Sequence, residues 1–231
     1  MKRVAATIAL TVLLAVPASA ATLVNGSFDT GVPGDTKGLN NNQTFGTMPG
    51  VGDGWDRWAS INGWTTISGA GIEIQTDRTL GDVAPQDGQY YVELDSNNNS
   101  AMKQDVWLAR GKYLLSFWYS PRSKSGQNDA QLAGSNVIDY AIGSVAGSVT
   151  GPSEAYGTAI GRWTQVFASF TANEAKTYSL VFAANGTNNS YGGLLDNVTL
   201  DFVAPVPVPA AGLLLIGALG GLAAFGRRRK A

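Results

Sequence analysis

Short alternating runs of apolar and polar residues fill the chain between residues 21 and 203. Aromatic and branched side chains recur at every second position, and clusters of Gly, Asn, Asp and Ser separate the runs. This period is typical of half-buried β-strands joined by turns, and no long stretch has the 3.6-residue period of a helix. The predicted strands are Thr22–Phe28, Gly71–Gln75, Gln89–Leu94, Ala101–Trp107, Lys112–Ser120, Val137–Ile142, Arg162–Thr171, Thr177–Ala184 and Leu194–Val203.

The run KYLLSFWYS, residues 112–120, is apolar on both of its faces. Four side chains share one face, and Leu114 and Trp118 share the other. This predicts either a central strand covered on both sides or a strand whose outer face is a binding surface. Strands at this spacing favour an all-β jelly-roll β-sandwich, with a barrel as the alternative. The Gly- and Asn-rich segment 28–64 is predicted to be an ordered loop, since it contains three tryptophans.

The first twenty residues have the features of a signal peptide. Met1-Lys2-Arg3 is basic, Val4–Val16 is almost entirely apolar, and Ala18-Ser19-Ala20 has the small-x-small form that signal peptidase accepts. We therefore expect export and cleavage between Ala20 and Ala21, the alternative being a buried N-terminal helix.

The C-terminal end combines prolines, an apolar stretch and a basic cluster. Prolines 205, 207 and 209 favour an extended segment, Ala210–Gly226 is an apolar stretch of 17 residues, and Arg227–Lys230 is basic. Taken alone, this combination predicts a single-pass transmembrane helix, with the basic cluster in the cytoplasm and the body of the protein on the other side of the membrane. The predicted organisation is a signal peptide at 1–20, a sandwich domain at 21–203, a Pro-rich linker at 204–209 and a transmembrane helix with a basic tail at 210–231.

Composition and charge restrict the possible chemistry. The chain has no cysteine and no histidine, which argues against disulfides, a Ser-His-Asp triad and a zinc site. Of its 16 basic and 17 acidic residues, six basic ones lie in the two ends, so the body has 10 basic against 17 acidic residues, a net charge of −7. This acidic body argues against nucleic acid as a partner.

The Pro-rich motif gives the first resemblance to a known family. Val206-Pro207-Val208-Pro209-Ala210, followed by the apolar stretch and terminal arginines, resembles the VPLPA-like variant of PEP-CTERM sorting signals, with Val208 in place of the usual leucine. The resemblance implies export by the Sec machinery in a Gram-negative bacterium and transient insertion in the inner membrane. It also implies removal of the tail by an exosortase and a place at the cell surface or in a biofilm matrix of exopolysaccharide.

A second resemblance rests on five ordered motifs in the body. They are LVNGSFD at 23–29, GWTTISGAGIEIQ at 63–75, DGQYYVELDSNNNSAMKQDV at 87–106, YLLSFWYSPR at 113–122 and GGLLDNVTL at 192–200. Together they resemble galactose-binding-like jelly-roll modules of bacterial surface proteins and of DUF642-type plant cell-wall proteins. The resemblance implies a carbohydrate-binding sandwich, often with a structural calcium ion and usually without catalytic activity.

Asp196 and Asp29 are the predicted calcium ligands. Asp196 alternates in step with Leu194 and Val198, so we expect its carboxylate to face the core, where it needs a cation, donors or a proton. The resemblance implies that Asp29 joins it on the ion, although relatives more often have Glu there. In the alternative, Asp196 accepts backbone N–H bonds and Asp29 caps a turn.

Residues that bind sugars are expected among the aromatic and polar side chains in loop-like sequence. Trp55, Trp58 and Arg122 are the predicted ligand-binding residues. Trp118 and Trp163 lie within predicted strands, so we expect them to be packed.

Three carboxylates, those of Glu73, Glu93 and Asp95, suggest a glycosidase as a less favoured alternative. The sequence therefore predicts an exported, exosortase-processed surface or matrix protein whose sandwich binds or organises extracellular polysaccharide without catalysis. A structural or adhesive protein without a glycan site is the other alternative.

Overall fold

Two antiparallel sheets packed face to face form the protein. The computed structural model describes residues 23–30, 54–76, 79–80, 83–122, 134–151 and 163–203. Sheet A has the strand order β1-β4-β5-β12-β7-β10, and sheet B has the order β2-β3-β6-β11-β8-β9. The predicted all-β jelly-roll sandwich is confirmed, and the described residues contain no helix.

The strands of sheet A are β1 (Trp55–Trp58), β4 (Ile72–Thr76), β5 (Tyr90–Glu93), β7 (Gly111–Ser120), β10 (Thr164–Ala172) and β12 (Leu194–Val203). Those of sheet B are β2 (Ser60–Ile61), β3 (Trp64–Ser68), β6 (Ala101–Leu108), β8 (Ile138–Ile142), β9 (Val145–Val149) and β11 (Lys176–Ala184). Eight of the nine predicted strands correspond to these elements, with bounds that differ by one or two residues at most ends.

The core lies between the sheets and follows the two-residue alternation of the strands. In β7 the inward side chains are those of Tyr113, Leu115, Phe117 and Tyr119, all at most 2% exposed. Phe117 packs edge-on against Phe182 of sheet B, with ring centroids 5.1 Å apart. Such interdigitating inner faces are how a sandwich buries its apolar surface. The second face of β7 is therefore the outer face of sheet A.

The predicted first strand, Thr22–Phe28, is wrong in its described part. Residues 23–28 form turns, because Asn25 and Phe28 have positive φ angles of 54° and 61°, which an extended strand does not allow. The buried Gln104 side chain holds this segment by accepting a bond from the Val24 amide (2.7 Å) and donating one to the Val24 carbonyl (2.8 Å).

The segment 28–64 was predicted to be a loop, but its last part contains β1, β2 and the start of β3. Residues 31–53 lie outside the described residues. The strand β9 was also missed, since VAGSV has only small side chains between its two valines.

A bulge in β12 shifts the side-chain alternation of the last strand. The pairing with β7 shifts register between Asp196 and Thr199, and Asn197 has a φ angle of 45°. An extra residue in a bulge moves all following side chains to the opposite face. Leu195 and Val198 therefore both belong to the main core. Asp196 is fully buried, as predicted, but it lies on the outer face of sheet A rather than facing the core.

Within the described ranges, no helix is long and apolar enough to cross a membrane. The predicted signal peptide, Pro-rich motif and C-terminal helix lie outside the described residues.

Candidate functional site on the outer face of sheet A

Four neighbouring residues on the outer face of sheet A form what we call the Trp118 patch: Ser116, Trp118, Gln165 and Phe167. Trp118 lies opposite Gln165, and Ser116 lies opposite Phe167, across the β7–β10 pair. The two aromatic rings thus occupy one diagonal of a square, and a hydroxyl and an amide occupy the other. Diagonal neighbours of this kind are about 7–8 Å apart, which is within reach of aromatic side chains.

The rings of the Trp118 patch are accessible. Phe167 is 58% exposed, and Trp118 is partly exposed. Apolar side chains of this size on a strand normally pack, so their exposure on one continuous face is informative. The prediction that Trp118 is packed is wrong, because Trp118 shares the outer face of β7 with Leu114 instead of the core face. Trp163 does pack, since it contacts the small cluster of Val83, Tyr91 and Leu194.

A row of hydrogen-bonding side chains runs from the patch across three strands. Gln165 Nε2 donates to Ser116 Oγ (3.4 Å), Ser116 Oγ and Thr199 Oγ1 are 2.9 Å apart, and Thr199 Oγ1 donates to Asp201 Oδ2 (3.3 Å). Hydroxyl and amide groups can donate and accept at once. Ser116 is buried, so the donors and acceptors that a ligand can reach beside the two rings are those of Gln165, Thr199 and Asp201.

Next to this open area, the outer face of sheet A contains a buried charged cluster. Glu93 is fully buried, and its two carboxylate oxygens accept bonds from Arg122 Nη1 at 2.5 and 2.6 Å. Gln75 Nε2 donates to both Glu93 (2.5 Å) and Glu73 (2.6 Å), and the Gly192 amide donates to Glu93 (2.8 Å). Glu73 and Glu93 lie directly opposite each other on β4 and β5.

Two guanidinium groups act on the two glutamates of this cluster, because Arg122 contacts Glu93 and Arg57 lies opposite Glu73 across the β1–β4 pair. Burial raises the pKa of Glu93 to about 8 despite the charge of Arg122, and it also raises the pKa of Glu73. Two carboxyl groups that share the Gln75 donor titrate as a pair. The raised pKa of Glu93 favours its protonated form near neutral pH.

Arg122 is placed inside the cluster rather than in an open loop. Its side chain is 14% exposed, it donates to the Ser190 carbonyl (2.7 Å), and its guanidinium lies 5.0 Å from the centre of the Tyr191 ring. Its Nη1 group is thus bonded to the protein and its side chain is mostly buried, which does not suit the predicted role of Arg122 as an exposed sugar ligand.

The predicted tryptophan ligands lie in strand β1 rather than in a loop. Trp58 is 6% exposed and belongs to the main core, so its position does not suit sugar stacking. Trp55 points to the outer face opposite Gln75 and is partly exposed, so its role stays a prediction.

The carboxylates considered for catalysis are buried. Glu73, Glu93 and Asp95 are 5%, 0% and 0% exposed. A glycosidase needs two carboxyl groups that flank an accessible bond. These three do not form such a pair, because the first two are enclosed with Arg122 and Asp95 accepts the Asn189 amide (3.1 Å).

Asp29 and Asp196 are brought to the same turn of chain, residues 86–90. Asp196 Oδ2 accepts the amides of Gln86 (2.8 Å) and Asp87 (3.0 Å). Asp29 Oδ1 accepts those of Gln89 (2.8 Å) and Tyr90 (3.2 Å).

Burial, with a smaller contribution from the Asp29 charge, raises the pKa of Asp196 to about 7. Gly88 is required between the carboxylates, since its φ is 66° and a Cβ would overlap Asp29.

This pair fits a calcium ion in part. Two neighbouring carboxylates need a positive charge, and no basic side chain in the described ranges forms a salt bridge with either. Calcium takes six to eight oxygens, and the described residues contain no group of three acidic side chains that could hold a metal, so carbonyls and water would complete the shell. The backbone bonds of the alternative arrangement are present, and calcium stays a prediction.

The sequence did not predict the Trp118 patch, because aromatic side chains within strands are usually packed in the core. A usable signal was present in RWTQVFASF, where Val166, Ala168 and Phe170 alternate inward and leave Phe167 on the other face. The signal becomes clear only when β10 is known to pair with β7.

Comparison with known proteins gives similarities of fold. No protein-family model matches the chain, and no curated protein matches it. A TmCBM61 structure in complex with β-1,4-galactotriose is 15% identical, with a TM-score of 0.44 over 78% of this chain and 97% of that one.

A CBM4 structure is 16% identical, with a TM-score of 0.40 over 79% and 100% of the two chains. A family 35 carbohydrate-binding module from Clostridium thermocellum is 13% identical, with a TM-score of 0.38 over 64% and 97%.

Proposed function

We propose that the protein is a non-catalytic binding module for neutral extracellular polysaccharide, and that the Trp118 patch is its binding surface. The observation that carries the proposal is the pair of accessible rings, Trp118 and Phe167, beside the exposed amide of Gln165. A pyranose ring has an apolar face that packs on aromatic side chains and an edge of hydroxyls that needs donors and acceptors.

The charge of the body supports a neutral ligand. The row beside the patch ends in the exposed carboxylate of Asp201, and the body carries a net charge of −7. Like charges across an interface cost binding free energy and slow association. Anionic polysaccharides should therefore bind less well than neutral ones.

The ends of the chain support a place outside the cell. The signal-peptide features up to Ala20-Ala21 and the motif Val206–Ala210 favour export, exosortase processing and release or attachment at the surface of a Gram-negative cell. The intact mass of the secreted protein tests this. It should correspond to a chain that starts at Ala21 and lacks the apolar stretch, and a mass that includes Arg227–Lys230 would contradict it.

Calcium is proposed as a structural ion held by Asp29 and Asp196. The ion would supply the positive charge that the two carboxylates lack, and it would fix the turn 86–90 against β12. Excess chelator should lower the melting temperature by several degrees, because an ion bound only to the folded state stabilises it. Asp196→Asn should remove the response to chelator, and an unchanged melt of the original protein would exclude the ion.

Glycan binding is tested with the mature body and immobilised galactan, xylan, laminarin and hydroxyethylcellulose, with hyaluronan as the anionic comparison. At least one neutral polysaccharide should retain the protein. Trp118→Ala and Phe167→Ala should each weaken binding about tenfold or more, since loss of an aromatic contact costs roughly 1.5 kcal/mol.

Val24→Ala is the matched control, since Val24 is a 38% exposed apolar residue that lies in neither sheet. It should bind like the original protein. Failure to bind any of the five polysaccharides would favour the structural or adhesive alternative. Equal losses in all three variants would show that the patch is not the binding surface.

A further inference from the structure

The outer face of sheet B carries an accessible tryptophan that the proposed function does not use. Trp107 of β6 is 55% exposed and lies opposite Thr177 of β11. Asp105 is on the same face two residues earlier, where its oxygens accept bonds from Ser179 Oγ (2.5 Å) and Lys103 Nζ (2.7 Å). An indole ring beside an oriented carboxylate and a hydroxyl repeats the chemistry of the Trp118 patch on the opposite side of the sandwich.

A trough of about 470 Å³ crosses β11, β8 and β9 on this same face. Its floor consists of small apolar residues, Ala141, Ala146 and Val181, which lie side by side in the register of the three strands. The volume is within the range of small-molecule sites. A floor of short side chains leaves a flat apolar depression on the sheet.

One wall of the trough is a fixed carboxylate. Asp139 Oδ1 accepts a bond from Ser148 Oγ (2.5 Å), and Oδ2 accepts one from Asn185 Nδ2 (2.7 Å). Each carboxylate oxygen has a second lone pair, so Asp139 can still accept bonds from a ligand. Hydroxyl groups are suitable donors, whereas anionic groups would be repelled by Asp139.

The spacing of these features indicates a long ligand. Along β11, Thr177 and Val181 are four residues apart, so Trp107 and the trough are separated by about 13 Å at the usual rise per residue. A single sugar ring does not cover this distance, whereas a polysaccharide segment can contact both.

From these features we propose that sheet B forms a second binding face for a neutral, hydroxyl-rich polymer, so that one molecule bridges two polysaccharide chains. The proposal rests on the proposed function, because it needs the Trp118 patch to hold the first chain. Bridging would make the protein a cross-linker of the matrix rather than a passive ligand of it.

The test uses the mature body and beads coated with the neutral polysaccharide that retains it best in the preceding experiment. The original protein should aggregate the beads. Trp107→Ala combined with Asp139→Ala should still bind single beads, but with half the stoichiometry and at least a tenfold loss of aggregation. Trp118→Ala combined with Phe167→Ala should lose aggregation in the same way.

A second sheet B variant tests the same face in case the double variant of Trp107 and Asp139 does not fold. Ala146→Gln fills the trough from an exposed position on β9 without removing a core contact, and it should reduce aggregation while its melting temperature is unchanged. Val24→Ala, the control outside both sheets, should aggregate beads normally. The proposal is overturned if the original protein binds without aggregating beads, or if the sheet B variants aggregate them normally. No binding by the original protein would instead refute the proposed function.

Discussion

Replacing Arg122 by methionine should lower the free energy of unfolding by about 3–5 kcal/mol at pH 9, because it leaves a buried glutamate without its cation. Glu93 is fully buried, and Arg122 contacts both of its oxygens. At pH 5 the loss should be clearly smaller, since Glu93 then carries a proton and needs only neutral hydrogen bonds. Urea unfolding at the two pH values measures the difference.

The control for this variant is an ion pair at the surface. Lys103 is paired with Asp105 at 2.7 Å, and the two side chains are 35% and 45% exposed. Lys103→Met should cost less than about 1 kcal/mol, because water and salt screen exposed pairs. If Arg122→Met costs no more than Lys103→Met at pH 9, the cluster does not depend on the charge of Arg122.

In excess chelator, which keeps Asp196 free of calcium, the stability of the protein should fall as pH rises from about 5 to 8. An acid whose pKa is raised in the folded state binds a proton more tightly there than in the unfolded state. For Glu93 the pKa rises from 4.5 to about 8, and for Asp196 it rises from 3.8 to about 7, so each contributes full stability below its unfolded value and loses it across that window. Each bound proton accounts for a slope of at most about 1.4 kcal/mol per pH unit.

Two substitutions should separate the contributions of Glu93 and Asp196 to this decline in stability. Glu93→Gln should remove the part of the decline that extends to pH 8, and Asp196→Asn should remove the part that ends near pH 7. Glu174→Gln is the matched control, since Glu174 is exposed and its ion pair with Lys176 lowers its pKa. It should leave the decline between pH 5 and 8 unchanged. A wild-type stability that is flat or rises with pH would contradict the assignment of buried protons.

Most of the sandwich could be predicted because its strands alternate strictly. β7 and β11 place large side chains at every second position, so their bounds and inner faces follow from the sequence. β1 was not recognised, because WDRW reads as loop sequence among glycines and its pairing with β4 becomes apparent only in the fold. Short strands take their structure from their neighbours more than from their own residues.

The candidate site was less predictable, because it depends on pairs of residues that are far apart in sequence. Trp118 and Phe167 are neighbours only through the β7–β10 register, and Arg122 meets Glu93 only because their strands lie in one sheet. Loop-like sequence suggested exposure for Trp58 and Arg122, while strand-like sequence suggested burial for Trp118. Each suggestion was wrong, because exposure is decided by which elements cover a face.

The bulge at Asn197 also determines how the chain can change in length. The one additional residue of β12 lies between Asp196 and Thr199. Deletion of Asn197 would remove the bulge and place Val198 opposite Phe117, so Val198 and Leu200 would keep their inward positions. Deletion of a single residue between 199 and 202 would instead turn the side chains on one side of the deletion to the opposite face. Natural variation in the length of this strand should therefore be confined to the bulge.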